Sequence, residues 1–342
     1  MNRNWVKSAF GLAALAIAMA PATITAAQAQ GAGGDKEKVL VRFTWQFKGE
    51  HAPLFVALDK GYYADEGLDV QLAEGSGAET VVKVIAQGID NIGFGPAPGM
   101  AEAIGNGLPL RVVAVYQAQA PMGLMSYPDI ALKTPKDLEG HSLGLTGTET
   151  FAHLWEPFAK LNGVDLSKVT KVTLDYASRN GLFVNRKIDF QSTFLNVDVP
   201  LMEKKLGIKF NTLKVAGFGL KVLGDCIFVN RDYAKTHAET IRKLLRATAK
   251  GFRDAQADPH AAAVTLGQHL RVKLPDDLIE EQLRITLADT LKPADKPLGW
   301  QDPAEWQSNV DLLKQIGVIK GSAQASDYFT NEYLVGSTAS RM

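Results

Sequence analysis

Short runs of apolar residues alternate along this chain with longer runs in which apolar positions recur at helical spacing. The short runs predict β-strands and the 3.6-residue pattern predicts helices. The predicted strands cover 39–44, 68–72, 89–94, 111–116, 141–145, 169–174, 208–213 and 224–229. The predicted helices cover 53–61, 78–87, 150–161, 178–184 and 197–206. From Asp232 the pattern is helical almost to the end, with breaks at Pro259, Pro275 and Pro303. This alternation indicates an α/β fold.

The layout of these elements predicts two lobes. The pattern resets after Met122, and the stretches 117–127 and 215–228 are the places where the chain crosses from one lobe to the other. We therefore expect a discontinuous lobe I, made of 36–118 and 225–342, with lobe II inserted as 119–224. After removal of a leader about 310 residues remain, which is enough for two domains of ordinary size.

The N-terminus has the pattern of a secretory signal peptide. Arg3 and Lys7 precede an apolar run over 9–20, and Ala27-Gln28-Ala29 matches the pattern that signal peptidase cleaves. The alternative is an uncleaved anchor, which the short run and the Gly-rich sequence after it disfavour. We expect a signal peptide over 1–29. No cysteine stands near the cleavage point, so we expect an exported protein without a lipid anchor, in a periplasm.

Composition and charge exclude several classes of function. The chain has 37 basic and 37 acidic residues, and losing Arg3 and Lys7 leaves 35 against 37, so nothing recruits nucleic acid. A single cysteine, Cys226, excludes a disulfide framework and a cysteine-rich metal site. The phosphate-loop, dinucleotide, zinc-protease and serine-hydrolase motifs are absent from the sequence. We expect no cofactor, no metal and no enzymatic activity.

Several segments resemble a known family of binding proteins. The main one runs from Trp45-Gln-Phe-Lys-Gly-Glu-His51 through Gly61-Tyr-Tyr to Val70. Further segments are Ile89-Asp-Asn-Ile-Gly-Phe94, Gly107-Leu-Pro-Leu-Arg to Gln119, Pro135-Lys-Asp-Leu-Glu-Gly140 and Phe194-Leu-Asn196-Val-Asp198. They resemble the NMT1/THI5-like substrate-binding components of ABC importers, in the nitrate/sulfonate/taurine and thiamine-pyrimidine-precursor group. The resemblance implies a type II periplasmic binding protein fold, with two Rossmann-like α/β lobes joined by two crossover strands. It also implies a small ligand in the interlobe cleft, a monomer, and an ABC permease and ATPase as partners.

Aromatic residues after the first strand are candidates for stacking on a planar ligand. Trp45 and Phe47 directly follow that strand, and His51 precedes the next helix. The pyrimidine-precursor binders are similar in having Trp six residues before His, although the residues between the two differ here. The alternative is that the aromatic rings belong to the core and that His51 satisfies a local backbone group.

The turn before the helix at 150 is a second candidate, comprising Thr146, Thr148 and Glu149. Free N–H groups at a helix N-terminus suit an anionic or carbonyl oxygen. Thr148 is alternatively the N-cap residue, which would occupy those donors. Glu149 would repel an anion and therefore favours a neutral or amine-bearing ligand.

Polar residues near the predicted crossings complete the candidate site. The family has an asparagine at the position of Asn196, and an amide both donates and accepts hydrogen bonds at a heterocycle edge. Carboxylates beside lobe-facing loops are alternatively plain surface charges. The remaining candidate ligand contacts are Phe94, Gln117, Gln119, Asn196, Asp198 and Asp225, with Glu50 as a further acid.

The ligand class stays open at this point. A pyrimidine or another vitamin heterocycle comes first, and a sulfonate such as taurine, nitrate or an aromatic carboxylate is the alternative. Arg179, at the start of a predicted helix, is the residue that would favour an anion. Two other classes are a sensor subunit with the same fold and, more distantly, a synthase like the fungal pyrimidine-precursor enzymes. Those carry a cysteine-rich segment that this chain lacks.

Overall fold

The computed structural model describes residues 36–291 and 295–334. The predicted signal peptide over 1–29 lies outside the described residues. The described chain contains two five-stranded sheets with helices packed against them. No described helix is both long enough and apolar enough to cross a membrane.

The first sheet has the strand order β2-β1-β3-β10-β4. Strand β1 pairs in parallel with β2 and β3, and β10 is antiparallel to both β3 and β4. Val41 and Phe43 of β1 are fully buried, as the apolar alternation predicts. The strands are β1 (Glu37–Phe43), β2 (Leu68–Ala73), β3 (Ile92–Pro96), β4 (Leu110–Val115) and β10 (Asp225–Asn230).

The second sheet has the corresponding order β7-β6-β8-β5-β9. Strand β6 is parallel to β7 and β8, whereas β5 runs antiparallel to β8 and β9. Two of its strands, β5 and β8, are absent from the predicted set. The strands are β5 (Met122–Ser126), β6 (Ser142–Thr146), β7 (Thr170–Leu174), β8 (Phe190–Phe194) and β9 (Asn211–Lys214).

Some predicted boundaries need correction. The third strand begins at Ile92 rather than at Ile89, whose side chain is 68% exposed in the preceding turn. Helix α6 begins at Tyr176, two residues before the predicted start, because the Asp175 carboxylate accepts hydrogen bonds from the Ser178 N–H and hydroxyl and caps the helix there.

Helices cover both sheets. Helix α9 packs on α1 with buried residues spaced three or four apart along its length. At Gly251 a Cβ would come 2.2 Å from the Pro53 carbonyl oxygen, so only glycine permits this close approach. The helices are α1 (Ala52–Asp59), α2 (Tyr62–Asp65), α3 (Ala78–Ala86), α4 (Ala97–Gly105), α5 (Thr150–Leu161), α6 (Tyr176–Val184), α7 (Asp198–Leu206), α8 (Arg231–Thr236), α9 (Ala238–Ala257), α10 (Pro259–His269), α11 (Asp276–Ala288) and α12 (Pro303–Gln315). Short 3₁₀ turns cover Gly49–His51, Pro135–Leu138, Leu166–Lys168, Val215–Phe218 and Ala325–Asp327.

The chain passes between the sheets twice, after β4 and again before β10. The two crossings are hydrogen-bonded to each other: Ala120 N–H donates to the Val222 carbonyl at 2.8 Å, and Gly224 N–H donates to the Gln117 carbonyl at 3.1 Å. The predicted fold class, two α/β lobes joined by two crossings, is confirmed.

Candidate functional site

A cleft lies between the two sheets, where strand ends and helix starts from both sides converge. It holds about 690 Å³ of unfilled space, its open mouth included. Ligands in open α/β folds bind at such an edge, because loops and helix N-termini meet there. The lining residues are Thr44, Trp45, Lys48, Glu50, His51, Ala78, Pro96, Thr146, Glu149, Thr150, Tyr176, Arg179, Phe194, Val197, Asp198 and Asp225.

Aromatic rings from the two sides meet in this cleft. Trp45 follows β1, and Tyr176 is the first residue of α6. Their ring centroids are 5.5 Å apart at 67°, an edge-to-face arrangement. Trp45 is half-buried, which leaves part of its ring for contact with another molecule.

The acids on the second-sheet side are paired. The Arg179 guanidinium donates to Glu149 Oε2 at 2.8 Å and to Ser192 Oγ at 2.8 Å, and Arg179 is 1% exposed. Asp198 accepts hydrogen bonds from the Tyr176 hydroxyl at 2.8 Å and from the Phe194 N–H at 2.9 Å. Burial raises the pKa of Glu149, and the Arg179 charge pulls that pKa back down. These carboxylates position Arg179 and Tyr176.

The acids on the first-sheet side have few partners. Asp225 is 7% exposed, and its carboxylate has no hydrogen-bond partner or ion pair among the residues the structure describes. Its backbone is fixed: its N–H donates to Gln117 Oε1 at 3.1 Å, and its carbonyl accepts from Tyr116 N–H at 2.8 Å. Burial raises the pKa of Asp225 to about 7. Burial, and then the Asp225 charge, raise the pKa of Glu50 to about 8.

His51 is neutral in this cleft. Its Nδ1 accepts a hydrogen bond from the Lys48 N–H at 3.0 Å, so the ring proton lies on Nε2, 3.5 Å from Glu50 Oε1. Its ring also makes edge-to-face contacts with the rings of Phe43 and Phe94. Burial lowers the pKa of His51 to about 3, with Lys48 adding to the effect. His51 therefore gives the cleft a donor and no charge.

Helix α11 links the two sides of the cleft through buried polar side chains. Gln282 accepts a hydrogen bond from the Gly49 N–H at 3.0 Å and donates to the Val197 carbonyl at 2.9 Å. One turn later the Thr286 hydroxyl accepts from Asn196 Nδ2 at 2.9 Å. The same Nδ2 donates to Glu50 Oε2 at 2.7 Å. The loop that carries Glu50 is thus fixed relative to the start of α7.

The cleft brings together half of the residues predicted to contact the ligand. Those that line it are Trp45, His51, Thr146, Glu149, Asp198 and Asp225. The Thr146 Oγ1 is buried without a hydrogen-bond partner. Glu149, rather than Thr148, directly precedes helix α5.

The other predicted residues do not line the cleft. Phe47 packs edge-on against Phe43 and Phe55, and Phe94 is 1% exposed beneath the cleft. Phe94 belongs to the core and Phe47 packs against it, which for Phe47 was the alternative.

The polar residues of the predicted set that miss the cleft lie behind or beside it. Gln117 and Asn196 are each 1% exposed and hold Asp225 and Glu50 in place from behind. Gln119 lies on the first crossing. Thr148 lies at the rim, with its hydroxyl 3.5 Å from the Ser76 carbonyl oxygen.

Several lining residues were absent from the predicted set or held a minor place in it. Tyr176 had a signal, because Asp175 and Ser178 have the spacing of a helix N-cap, and that spacing places Tyr176 at the helix start. Lys48 and Phe194 carry no such signal. The lining residues outside the predicted set are Thr44, Lys48, Glu50, Ala78, Pro96, Thr150, Tyr176, Arg179, Phe194 and Val197.

Metal binding has no support in the described part of the chain. No group of three or more His, Cys, Asp or Glu residues there is arranged to hold a metal ion. Cys226 is fully buried, and its Sγ donates to the Gly95 carbonyl at 3.1 Å.

Comparison with known proteins gives the family. Residues 48–262 match the family described as NMT1/THI5 like. The chain belongs to this family. A formylaminopyrimidine-binding protein from Halalkalibacterium halodurans is 22% identical over 299 residues, covering 86% of this chain and 90% of that protein. The riboflavin-binding protein RibY from Chloroflexus aurantiacus is 23% identical over 299 residues, and the match covers 84% of this chain and 83% of RibY.

Solved structures give the fold of this NMT1/THI5-like protein. The alkanesulfonate-binding protein SsuA from Xanthomonas axonopodis pv. citri, bound to MOPS, superposes with a TM-score of 0.66 at 16% identity. The match covers 87% of this chain and 99% of SsuA. The chain has the periplasmic binding protein fold, as predicted.

The NMT1/THI5-like relatives also include enzymes. A 4-amino-5-hydroxymethyl-2-methylpyrimidine phosphate synthase from Legionella pneumophila is 21% identical, covering 87% of this chain and 93% of the synthase. The family therefore contains both binding proteins and synthases.

Proposed function

We propose that this protein is the exported solute-binding component of an ABC importer and binds a small polar heteroaromatic molecule in the cleft. The observation that carries the proposal is the meeting of Trp45 and Tyr176 from opposite sheets in a cleft that carboxylates also line. Two aromatic rings and convergent polar groups are what a flat heterocycle with ring nitrogens and amino groups requires.

The charges of the cleft support a heterocycle over an anion. The guanidinium of Arg179, the strongest anion-binding group in the lining, donates to Glu149 and Ser192 through Nη1, although its buried Nε has no hydrogen-bond partner. An entering sulfonate, nitrate or carboxylate would face Glu50, Asp198 and Asp225, and of the two lining cations Lys48 alone is not paired with a carboxylate. The names of the two relatives, a formylaminopyrimidine binder and a riboflavin binder, also support a heterocycle.

Binding without reaction is the second part of the proposal. The only cysteine of the described chain, Cys226, is fully buried behind the cleft, and His51 is already bound to the Lys48 backbone. A synthase remains the competing function because such enzymes are among the relatives. Mass spectrometry of the bound molecule after prolonged incubation separates the two: a binding protein returns its ligand unchanged.

Export and transport partners follow from the same proposal. The N-terminal pattern over 1–29 favours secretion to the periplasm without a lipid anchor, and an importer supplies a permease and an ATPase as partners. We propose lobes over 36–118 with 225–342 and over 119–224, working as a monomer. Delivery to a transporter or to a membrane sensor uses the same closed lobes.

A ligand screen tests the proposal directly. Amino-pyrimidines, flavins, taurine, alkyl sulfonates, nitrate and aromatic carboxylates are compared for their effect on the melting temperature. A ligand at a hundred times its Kd adds about 2.7 kcal/mol to the free energy of unfolding, which raises the melting temperature by several degrees. Stabilisation by an amine-bearing heterocycle is expected. Stabilisation by a sulfonate or carboxylate alone would contradict the proposed ligand class.

Two tryptophan variants check the location of the site. Trp45→Ala is expected to weaken ligand binding at least tenfold while the melting temperature of the free protein stays within a few degrees, because Trp45 is half-buried. Trp155→Ala is the contrasting variant: Trp155 is 1% exposed in the core, so its loss costs about 3–5 kcal/mol of stability. Equal loss of stability in both variants would make Trp45 a core residue.

A further inference from the structure

The charges of the cleft do not balance once the internal pairs are removed. Glu149 and Arg179 neutralise each other at 2.8 Å. The remaining lining charges are the carboxylates Glu50, Asp198 and Asp225 and the ammonium of Lys48. Ionised, these groups leave the space between them negative, because Lys48 offsets only one of the three carboxylates and His51 is uncharged.

Asp225 is the least compensated of these acids. Glu50 accepts from Asn196, and Asp198 accepts from Tyr176 and Phe194, whereas the Asp225 carboxylate is 7% exposed and has no partner in the described part of the chain. A buried carboxylate without a partner is unfavourable unless something binds it. Its backbone is held by Gln117 and Tyr116, so the side chain cannot move away with the strand end.

We infer that the cleft selects a planar cation, with the Asp225 carboxylate accepting the N–H groups of an amidinium or aminopyridinium-type head. This inference rests on the proposed function and adds the charge of the ligand to it. Two N–H groups on one planar cation match the two oxygens of a carboxylate in a charge-assisted pair. The ring of the same cation lies against Trp45, whose face attracts positive charge.

The positions of the neighbouring groups support the inference. Glu50 lies beside the same space, and burial and the Asp225 charge hold its pKa high, so a ligand cation would stabilise the ionised form of both acids. Asp225 N–H and carbonyl are already bonded, so the carboxylate is the part of this residue left for a ligand.

Three probes of nearly equal shape and different charge test the inference. Benzamidine is a cation, benzamide is neutral and benzoate is an anion, and their binding to the purified protein is measured by calorimetry at pH 8. We expect benzamidine to bind at least tenfold more tightly than benzamide and benzoate not to bind. The pair of 4-aminopyridine, a cation at pH 8, and neutral aniline repeats the comparison on a heterocycle, with the same tenfold preference expected.

Two variants show whether Asp225 is responsible. Asp225→Asn keeps the shape of the side chain and is expected to weaken benzamidine binding at least tenfold while changing benzamide binding less than threefold. Glu79→Gln removes one negative charge from an exposed helix position outside the cleft lining and is expected to leave benzamidine binding within twofold. Circular dichroism and the melting temperature establish that both variants are folded.

The results distinguish failure of this inference from failure of the proposed function. Equal or tighter binding of benzamide, or no effect of Asp225→Asn on the cations, overturns the inference. Failure of both cations while a neutral heterocycle from the ligand screen binds also overturns it and leaves the proposed function standing. Failure of every probe and every compound in that screen overturns the proposed function itself.

Discussion

The two sides of the cleft use carboxylates differently. On the second-sheet side Glu149 and Asp198 are bound to Arg179, Tyr176 and the Phe194 backbone. On the first-sheet side Asp225 has no partner among the described residues, and Glu50 has one strong hydrogen bond, from Asn196. The same chemical group thus maintains the architecture on one side and is left open toward the cleft on the other.

The partners of a buried acid indicate whether it serves the fold or is available to a ligand. A buried acid whose oxygens are all occupied contributes to the fold, and removing its partner leaves a buried charge that destabilises the protein. A buried acid with free oxygens destabilises the protein when no ligand is bound. A ligand that binds those oxygens removes that destabilisation. Stability measurements and binding measurements should therefore respond to opposite sides of the cleft.

The largest expected effect on stability comes from the second-sheet side, where the carboxylates are paired. Arg179→Met leaves Glu149 buried without its cation, so the free energy of unfolding should fall by about 3–5 kcal/mol in chemical denaturation. Asp225→Asn, on the side with free carboxylate oxygens, should leave the free energy of unfolding unchanged or raise it at pH 8. If both variants destabilise the protein equally, the carboxylates of the two sides do not differ in their contribution to stability.

The second-largest effect on stability is expected from Gln282, which links the two sides of the cleft. Gln282→Leu leaves the Gly49 N–H and the Val197 carbonyl buried without partners, and the free energy of unfolding should fall by about 2–4 kcal/mol. Ligand binding should weaken too, because the loop carrying Glu50 loses its support. Gln307→Leu, at an exposed position of α12, is the control and should change stability by less than about 0.5 kcal/mol. An equal effect of the two variants would show that Gln282 of α11 does not support the two sides of the cleft.

The smallest effect is a dependence of stability on pH. The pKa values of Glu50 and Asp225 are raised to about 8 and about 7 in the folded protein, so the folded state holds protons that the unfolded chain has released. Stability that is present at low pH is therefore lost as pH rises through these values, on the order of 2 kcal/mol between pH 6.5 and 8, and levels off above.

The window starts at pH 6.5 because His51, with its pKa lowered to about 3, has the opposite effect below that. The other charged or titratable groups facing these acids are Lys48, Asp198 and Cys226. The double variant Glu50→Gln/Asp225→Asn should show a flatter pH profile of its denaturation midpoint. An unchanged slope would mean that the two acids are ionised in the empty cleft.

Local patterns in the sequence predict much of the fold. Alternation and helix-end residues identify most elements, and they place Trp45 at a strand end that opens into the cleft. Strand β8 escapes prediction because its centre, Gln191-Ser192-Thr193, is polar yet fully buried. Ser192 is bonded to Arg179, thirteen residues away, and to Glu149, which is more distant still. A pattern of neighbouring residues does not contain that pairing.

A related limit explains the errors among the candidate ligand contacts. Trp45 and Phe47 look alike in the sequence, as aromatic residues after a strand. Phe47 packs against the nearby rings of Phe43 and Phe55, whereas Trp45 meets Tyr176 of the other sheet, a contact that the local pattern does not contain. Gln282 lies 233 residues from its partner Gly49, and the sequence around either residue does not predict this hydrogen bond.

Asp225 begins the strand on which the chain returns to the first sheet, beside the hydrogen bonds that tie the two crossings together. When one lobe rotates about such crossings, the displacement of each atom grows with its distance from the axis. In such a rotation we expect Asp225, which lies beside the crossings, to move little and Tyr176, which the other sheet carries, to move further. We expect a solute to be seated on Asp225 first, with the aromatic wall of the moving lobe arriving afterwards.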